Sequence, residues 1–475
     1  MSPRTLVTSL KLLCLKIISN KLIYALSDDE GKNYEIVSNY LTPTTFEVLQ
    51  DLLKIILDSV NLDASIRFSC IEILLREDVR KLDTGMFPQF YYDKILRVIT
   101  ERGQGLQHLN LKGVWVRDFP DLLSQLVRSL KGLKSLFIPH MANDDVIEAI
   151  LTLEHLRVLD ISGEACFTGD GVKHLRSNTL QMLSIGYFGK LNICETEENS
   201  GIQLISHLLK NLPNLISLRT YSYTGRAVSL LHSEFPDYKT NLKYLHDTGT
   251  SKGIMESMLN LCPDLENLHL DGAECGVLEK LGKLRKLNTL KLTKCDVVEF
   301  LTFLRQSGSQ LHTLKLNHNK NTSLDLSEIC LLAPNLQTLE CYHMKLTHTN
   351  LDTYFMSLVN VEFSYCEVSD DVIRFVFTNS PFLRKISVGS VIKMTDGDMF
   401  RLCAECDLIN LEELWFSCAM WLTSTTVELL MGHCPKLKVI GHMDGWDVSQ
   451  EDIEYLRAVV ICTNTDLTLF PANDL

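Results

Sequence analysis

Between residues 103 and 445 one phrase recurs: Leu, two residues, Leu, one residue, an apolar side chain. It runs from Leu106-Leu109-Leu111 through Leu133-Leu136-Ile138, Leu265-Leu268-Leu270 and Leu311-Leu314-Leu316 to Leu411-Leu414-Phe416 and Leu437-Ile440. There are fourteen starts, most 22 to 28 residues apart; the exception, Leu180 to Leu215, is 35. Apolar-polar-apolar alternation makes a short strand with every second side chain inward. The half after it carries helical spacing, as in Val146-Ile147-Ile150-Leu151. One such unit orders some two dozen residues around a handful of buried side chains, so it is stable only when stacked on its neighbours.

The period is that of leucine-rich repeats. The expected fold is therefore α/β, a leucine-rich-repeat solenoid or horseshoe with strands on the concave side and helices outside, preceded by a small helical domain. Length alone would suggest about three domains, but a solenoid grows along one axis. The expected organisation is 1–62, a helical region; 63–102, a helical linker and N-terminal cap; 103–445, the repeats; and 446–475, a C-terminal cap. Helices are expected near Thr8–Ala25, Thr44–Leu57, Ala64–Glu77 and Pro88–Glu101, with Thr8 or Ser9 as the first N-cap. The acidic stretch 192–199 reads as an exposed loop.

Net charge of −13 and pI near 5.6 argue against nucleic-acid binding and against anionic membranes. No apolar run reaches spanning length. Lys11, Lys16 and Lys21 interrupt the apolar N-terminus, and no cleavage site follows, so a signal peptide is not expected. Fifteen cysteines without such a signal point to reduced thiols in cytoplasm or nucleus. Cys403-Ala404-Glu405-Cys406 has metal-pair spacing, but its neighbours fall on different sides of the repeat, so packing is the reading and no metal or cofactor is expected. No phosphate loop or His-Glu-x-x-His pair occurs. His108, His246 and His269 lack an accompanying acid, base and nucleophile, so the chain does not read as an enzyme.

The concave face is the better candidate. Its outward positions include Phe137, Arg219, Tyr221, Tyr244, His246, His269, Lys291, Lys315, Glu340, Tyr342, Glu362 and Trp415. Aromatics on a rigid surface are favoured anchors. Phe137, Tyr221, Tyr244, His246, Tyr342 and Trp415 are expected to contact a protein substrate. Lys291 and Lys315 stand in consecutive strand rows, about 5 Å apart, and are expected to act together on an acidic segment.

Phrases such as Cys262-Pro263-Asp264-Leu265 and Cys434-Pro435-Lys436-Leu437, and the step Val368-Ser369-Asp370 or Met394-Thr395-Asp396, resemble the cysteine-containing repeats of F-box and related ubiquitin-ligase receptors. At the N-terminus, Ser9, Leu10, Cys14 and Ile18 match an Elongin-binding box, and Leu10, Cys14 and Ile18, four apart, share one helical face. Packing of that face on the next helix is the alternative reading. Tyr40-Leu41-Thr42-Pro43-Thr44-Thr45-Phe46 is similar to the cullin box of cullin 2 receptors, with Thr42 where that box carries an apolar residue. The order of these parts resembles the Zyg-eleven and Zer-one receptor family, which continues into armadillo-like repeats that this chain does not reach. The resemblance implies a non-catalytic substrate receptor docking on Elongin C with Elongin B through Ser9, Leu10, Cys14 and Ile18, and on cullin 2 through Leu41, Pro43 and Phe46. A degenerate F-box at Leu41–Leu53 for Skp and cullin 1, or a scaffold with no ligase role, are the alternatives.

Overall fold

The protein is described by a computed structural model, covering residues 3–4, 9–27, 33–59, 61–164, 167–187, 195–220, 223–317, 323–350 and 352–470. It divides into two compact units. The first is Thr8–His246 with Asn260–Pro263; the second is Met1–Val7, Asp247–Leu259 and Asp264–Leu475.

The first unit opens with α1 (Leu10–Leu26), α2 (Tyr34–Leu41), α3 (Phe46–Leu57) and α4 (Ala64–Leu74); a turn of 3₁₀ helix at Gln89–Tyr91 leads into α5 (Tyr92–Arg102). Helix α2 was not expected from the sequence. It is eight residues long and Leu41 is its buried residue, too little to show as periodicity. Helix α3 is the hub: Leu49, Leu52, Leu53, Ile56 and Leu57 are all buried, and α1 and α4 pack against it.

Strands β1 (Lys81–Asp83), β2 (His108–Asn110), β3 (Ser135–Phe137), β4 (Val158–Glu164), β5 (Met182–Tyr187), β6 (Ser217–Arg219) and β7 (Tyr244–Thr248) follow, each parallel to the next. The sheet therefore starts ahead of the first repeat phrase. Its free edge, β1, is covered by one side chain of α3. Gln50 Nε2 donates to the Lys81 carbonyl at 2.6 Å, and its Oε1 accepts from the N–H groups of Lys81 at 2.8 Å and Arg80 at 3.2 Å. The primary amide imitates a neighbouring strand at an edge that would otherwise offer bare backbone groups. The acidic stretch expected as a loop is helix from Glu195, in Glu195–Asn211. Residues 192–194 lie outside the described residues.

The second unit carries β8 (Asn267–Asp271), β9 (Thr289–Thr293), β10 (Thr313–Asn317), β11 (Ser323–Asp325), β12 (Thr338–Tyr342), β13 (Lys345–Thr347), β14 (Asn360–Ser364), β15 (Lys385–Val391), β16 (Glu413–Cys418), β17 (Val439–Gly441) and β18 (Thr468–Phe470). All but β11 and β13, which pair with each other, form one parallel succession. In both units the central apolar residue of each repeat strand, such as Leu136, Leu183, Leu290, Leu314 and Ile440, is fully buried. This is the leucine-rich-repeat architecture, and all fourteen phrases place a strand.

The Ser/Thr-Asp steps are helix N-caps with a second role. Ser369 Oγ accepts from Val372 N, and Thr395 forms a reciprocal capping box with Asp398. The following Asp reaches the next repeat: Asp370 accepts from Lys393 N at 3.0 Å, and Asp396 accepts from Thr423 N at 3.0 Å and its hydroxyl at 2.7 Å. Asp144 does the same for Thr168 in the first unit, at 2.7 and 2.9 Å.

Candidate functional surfaces: a bare helix face and the open face of the sheet

Helix α1 is apolar on two sides. Leu15, Ser19 and Leu22 are buried and lie on one face, three and four residues apart. The opposite face is bare: Leu10 is 77% exposed, Ile17 60% and Leu13 42%, and Cys14 is exposed beside them; Ile18, 41% exposed, lies at the margin of the buried face, three residues from Leu15 and four from Leu22. Ser9 is the N-cap, its Oγ accepting from Leu12 N at 3.2 Å. Leu10 and Cys14 thus do not serve as the seam of α1 with its neighbours, and Ile18 flanks that seam with two-fifths of its surface open. A contiguous exposed apolar strip of this kind marks a contact surface.

The second N-terminal box divides. Pro43 and Phe46 are exposed, but Leu41 is 6% exposed and belongs to the core. This corrects its assignment as a partner-facing residue: it is the last residue of α2, turned inward. Thr42 turns its hydroxyl back on the Ser38 carbonyl at 3.0 Å.

On the first unit's open face one register row reads Asp83, Asn110, Phe137, Asp160, Ser184, Arg219. Phe137 is half-buried beneath Lys112, whose Nζ lies 5.1 Å from the ring centre. Lys112 also pairs with Asp160 at 3.2 Å, and Asp160 accepts from Ser162 N and Oγ. Beyond it is a hollow of about 310 Å³ lined by Asp160, Ser162, Ser184, Arg219, Tyr244 and His246, among others. Arg219 lays its guanidinium over the Tyr244 ring, 5.6 Å from the centroid. Tyr244 and His246 are thus brought together as the sequence suggested, with Arg219 between them and Ser184. Tyr221 lies outside the described residues.

In the second unit the corresponding row reads His269, Lys291, Lys315, Glu340, Glu362, Ser387, Trp415, Gly441, Phe470. Lys291 and Lys315 are adjacent as expected, but they are not a free pair. Lys315 Nζ is 2.7 Å from Glu340 Oε1. The Tyr342 hydroxyl donates to Glu362 at 2.7 Å. Burial, then this carboxylate, push the Tyr342 phenol well above its usual value. Lys385 pairs with Glu413 at 2.9 Å, and Trp415 Nε1 donates to the same carboxylate at 3.0 Å. The Trp415 ring stacks on Phe470 at 5.8 Å and covers Gly441, where a Cβ would come within 1.9 Å of it. Trp415 and Tyr342 are consequently half-buried side chains engaged with their own neighbours. A hollow of about 420 Å³ lies here too, but Lys315, Glu340, Glu362 and Lys385 line it with balanced charge.

No protein-family model matches the chain, and no curated protein matches its sequence. Among solved structures it is similar to a chain from the crystal structure of the Rad7 and Elc1 complex in yeast, at 16% identity, with 98% of each chain covered and a TM-score of 0.42. It is also similar to a leucine-rich-repeat protein of Leptospira interrogans, at 15% identity over 88% of this chain and 97% of that one, TM-score 0.35. A Listeria monocytogenes internalin gives 15% identity, 91% and 96% coverage and a TM-score of 0.34.

Several thiols, Cys70, Cys262, Cys330, Cys341, Cys366, Cys403 and Cys434, are buried in packing positions, whereas Cys14, Cys275, Cys418 and Cys462 are exposed. Burial pushes Cys70 and Cys262 up to about 12, Cys403 to about 11 and Cys406 to about 12, so these are protonated at neutral pH and poor nucleophiles. Among the described residues no set of three or more His, Cys, Asp or Glu side chains is placed to hold a metal ion, and no helix is long and apolar enough to cross a membrane. His108 is held below its ordinary value by burial and by Lys81 and Lys134.

Proposed function

We propose that the chain is a non-catalytic substrate receptor of a cullin–RING ubiquitin ligase, docked on Elongin C through the bare face of α1. The observation that carries this reading is that face itself. Leu10, Leu13, Cys14, Ile17 and Ile18 stay exposed while Leu15, Ser19 and Leu22 hold the helix in place. A rigid amphipathic helix with one face seated and the other apolar and open is what helix-in-groove recognition uses. Leu10 is the knob and Cys14 the small residue that allows close approach. Elongin B follows with Elongin C, and cullin 2 reaches the exposed turn at Pro43 and Phe46. Substrate is held on the open face of the sheet, where Phe137, Tyr244 and His246 are candidate contacts.

The test is co-purification of the full chain with Elongin B and C, compared with Leu10→Ala/Cys14→Phe. Both residues are on the surface, so the variant keeps the melting temperature of the wild type and loses capture, since emptying a filled leucine pocket costs about 2–5 kcal/mol. Undiminished capture by the double variant would sink the docking assignment. Recovery of Skp with cullin 1 from cell extract would support the F-box alternative, and recovery of neither adaptor a free-standing scaffold.

A further inference from the structure

We infer that the hollow on the first unit's open face is a seat for an oxyanion carried on a peptide, phosphate or carboxylate, with Arg219 as its cation. This rests on the open face being the substrate surface; it does not depend on Elongin docking.

Charge accounting isolates Arg219. Among the described residues the hollow is lined by one carboxylate, and that carboxylate is taken: Lys112 lies 3.2 Å from Asp160, and Ser162 donates to it through both N–H and hydroxyl. Arg219 is exposed and forms no ion pair among the described residues, in a chain of net charge −13. Its one described contact is the Tyr244 ring, which holds the guanidinium plane while leaving its fork of N–H groups for a ligand. That geometry suits an oxyanion with two oxygens in line with two donors. The Ser184 hydroxyl lies one strand away in the same register row, has no hydrogen-bond partner among the described residues, and lines the same hollow. It is a third donor for an anion.

The hollow is open to solvent, and its lining is about as polar as it is apolar. A drug-like ligand relies on enclosure by mainly apolar walls, and this hollow does not enclose. An extended chain running across the strands needs no enclosure. It can lower one charged side chain into the hollow while its backbone remains outside.

The test uses the full chain and three fluorescein-labelled degenerate peptide pools, identical except for a central Ser, phosphoserine or Glu, read by fluorescence polarisation. One anionic pool binds at least tenfold more tightly than the Ser pool. Arg219→Gln abolishes that preference, Arg219→Lys retains part of it, and Lys291→Gln leaves it intact, all without a change in melting temperature. A stronger phosphoserine pool identifies phosphate as the anion and a stronger Glu pool carboxylate; either supports the seat. Equal binding of all pools, no binding of any, or a preference that survives Arg219→Gln overturns it. Elongin capture is measured on the same proteins. Capture without anion preference sinks this inference alone, and anion preference without capture sinks the docking reading alone.

Discussion

The open faces of the two units share a backbone plan and differ in what their side chains do with one another. In the second unit the outward groups satisfy each other: Lys315 with Glu340, Tyr342 with Glu362 and Lys385 with Glu413 across neighbouring strands, and Trp415 with Glu413 along its own strand. In the first unit the one carboxylate lining the hollow among the described residues is neutralised from the side by Lys112, and Arg219 is left over a tyrosine ring. An outward position on a strand is therefore insufficient to make a binding residue. The group one strand away, some 5 Å distant, decides whether a charge is available or already engaged.

The contrast breaks first at Trp415. If its ring is structural, Trp415→Ala loses about 3 kcal/mol, the low end for removing a large aromatic because it is half-buried. Gly441→Ala loses about 1–3 kcal/mol by pushing a methyl into the same ring. Thermal melting of the full chain reads both, and a loss under about 0.5 kcal/mol for Trp415→Ala would mean that the ring is free for a ligand.

Tyr342→Phe comes next, losing about 1.5 kcal/mol as a hydrogen bond to a carboxylate disappears. It has a pH signature. The folded phenol titrates above its ordinary 10, so its contribution is complete below that pH and declines as pH rises through 10 and beyond. Melting curves on either side of pH 10 should show this decline in the wild type and a shallower one in Tyr342→Phe; identical slopes would remove the phenol from the pairing scheme.

Lys315→Met has a smaller effect, about 0.5–1 kcal/mol, because the pair is partly exposed and screened; denaturant titration at low and high salt should show the difference shrinking with salt. Arg219→Gln has the smallest, within about 0.5 kcal/mol, since nothing in the fold rests on it. A destabilisation by Arg219→Gln as large as that of Tyr342→Phe would erase the distinction between the two faces.

Most of this architecture could be read from spacing. Leucine periodicity placed every repeat strand because a two-residue alternation inside a fixed period has no competing interpretation. The same period could have found β1, since Leu82 stands 27 residues before Leu109, its partner across β1 and β2; one apolar residue between Lys81 and Asp83 is too weak a local signal. The Ser-Asp and Thr-Asp steps were visible only as a resemblance. Their physical content, a cap for one helix and an acceptor for the next repeat, needs the stacking of repeats to appear. Leu41 was misassigned because a motif match does not say which way a side chain points. The expectation that Lys315 acts with Lys291 on an acidic segment overlooks Glu340 for a different reason: that partner is 25 residues away. Aligning Leu314 with Leu339 puts the two side by side. For α1 the sequence could not choose between a seam and a contact face, because the helix is apolar on both sides.

The Gln50 amide that closes β1 has a consequence for the order in which the protein is made. Gln50 precedes Lys81 by 31 residues, and synthesis runs from the N-terminus. The closing side chain is thus already outside the ribosome, on a helix able to pack, when the strand it covers emerges. The first edge of the sheet is shielded from other nascent chains before any repeat has been added behind it.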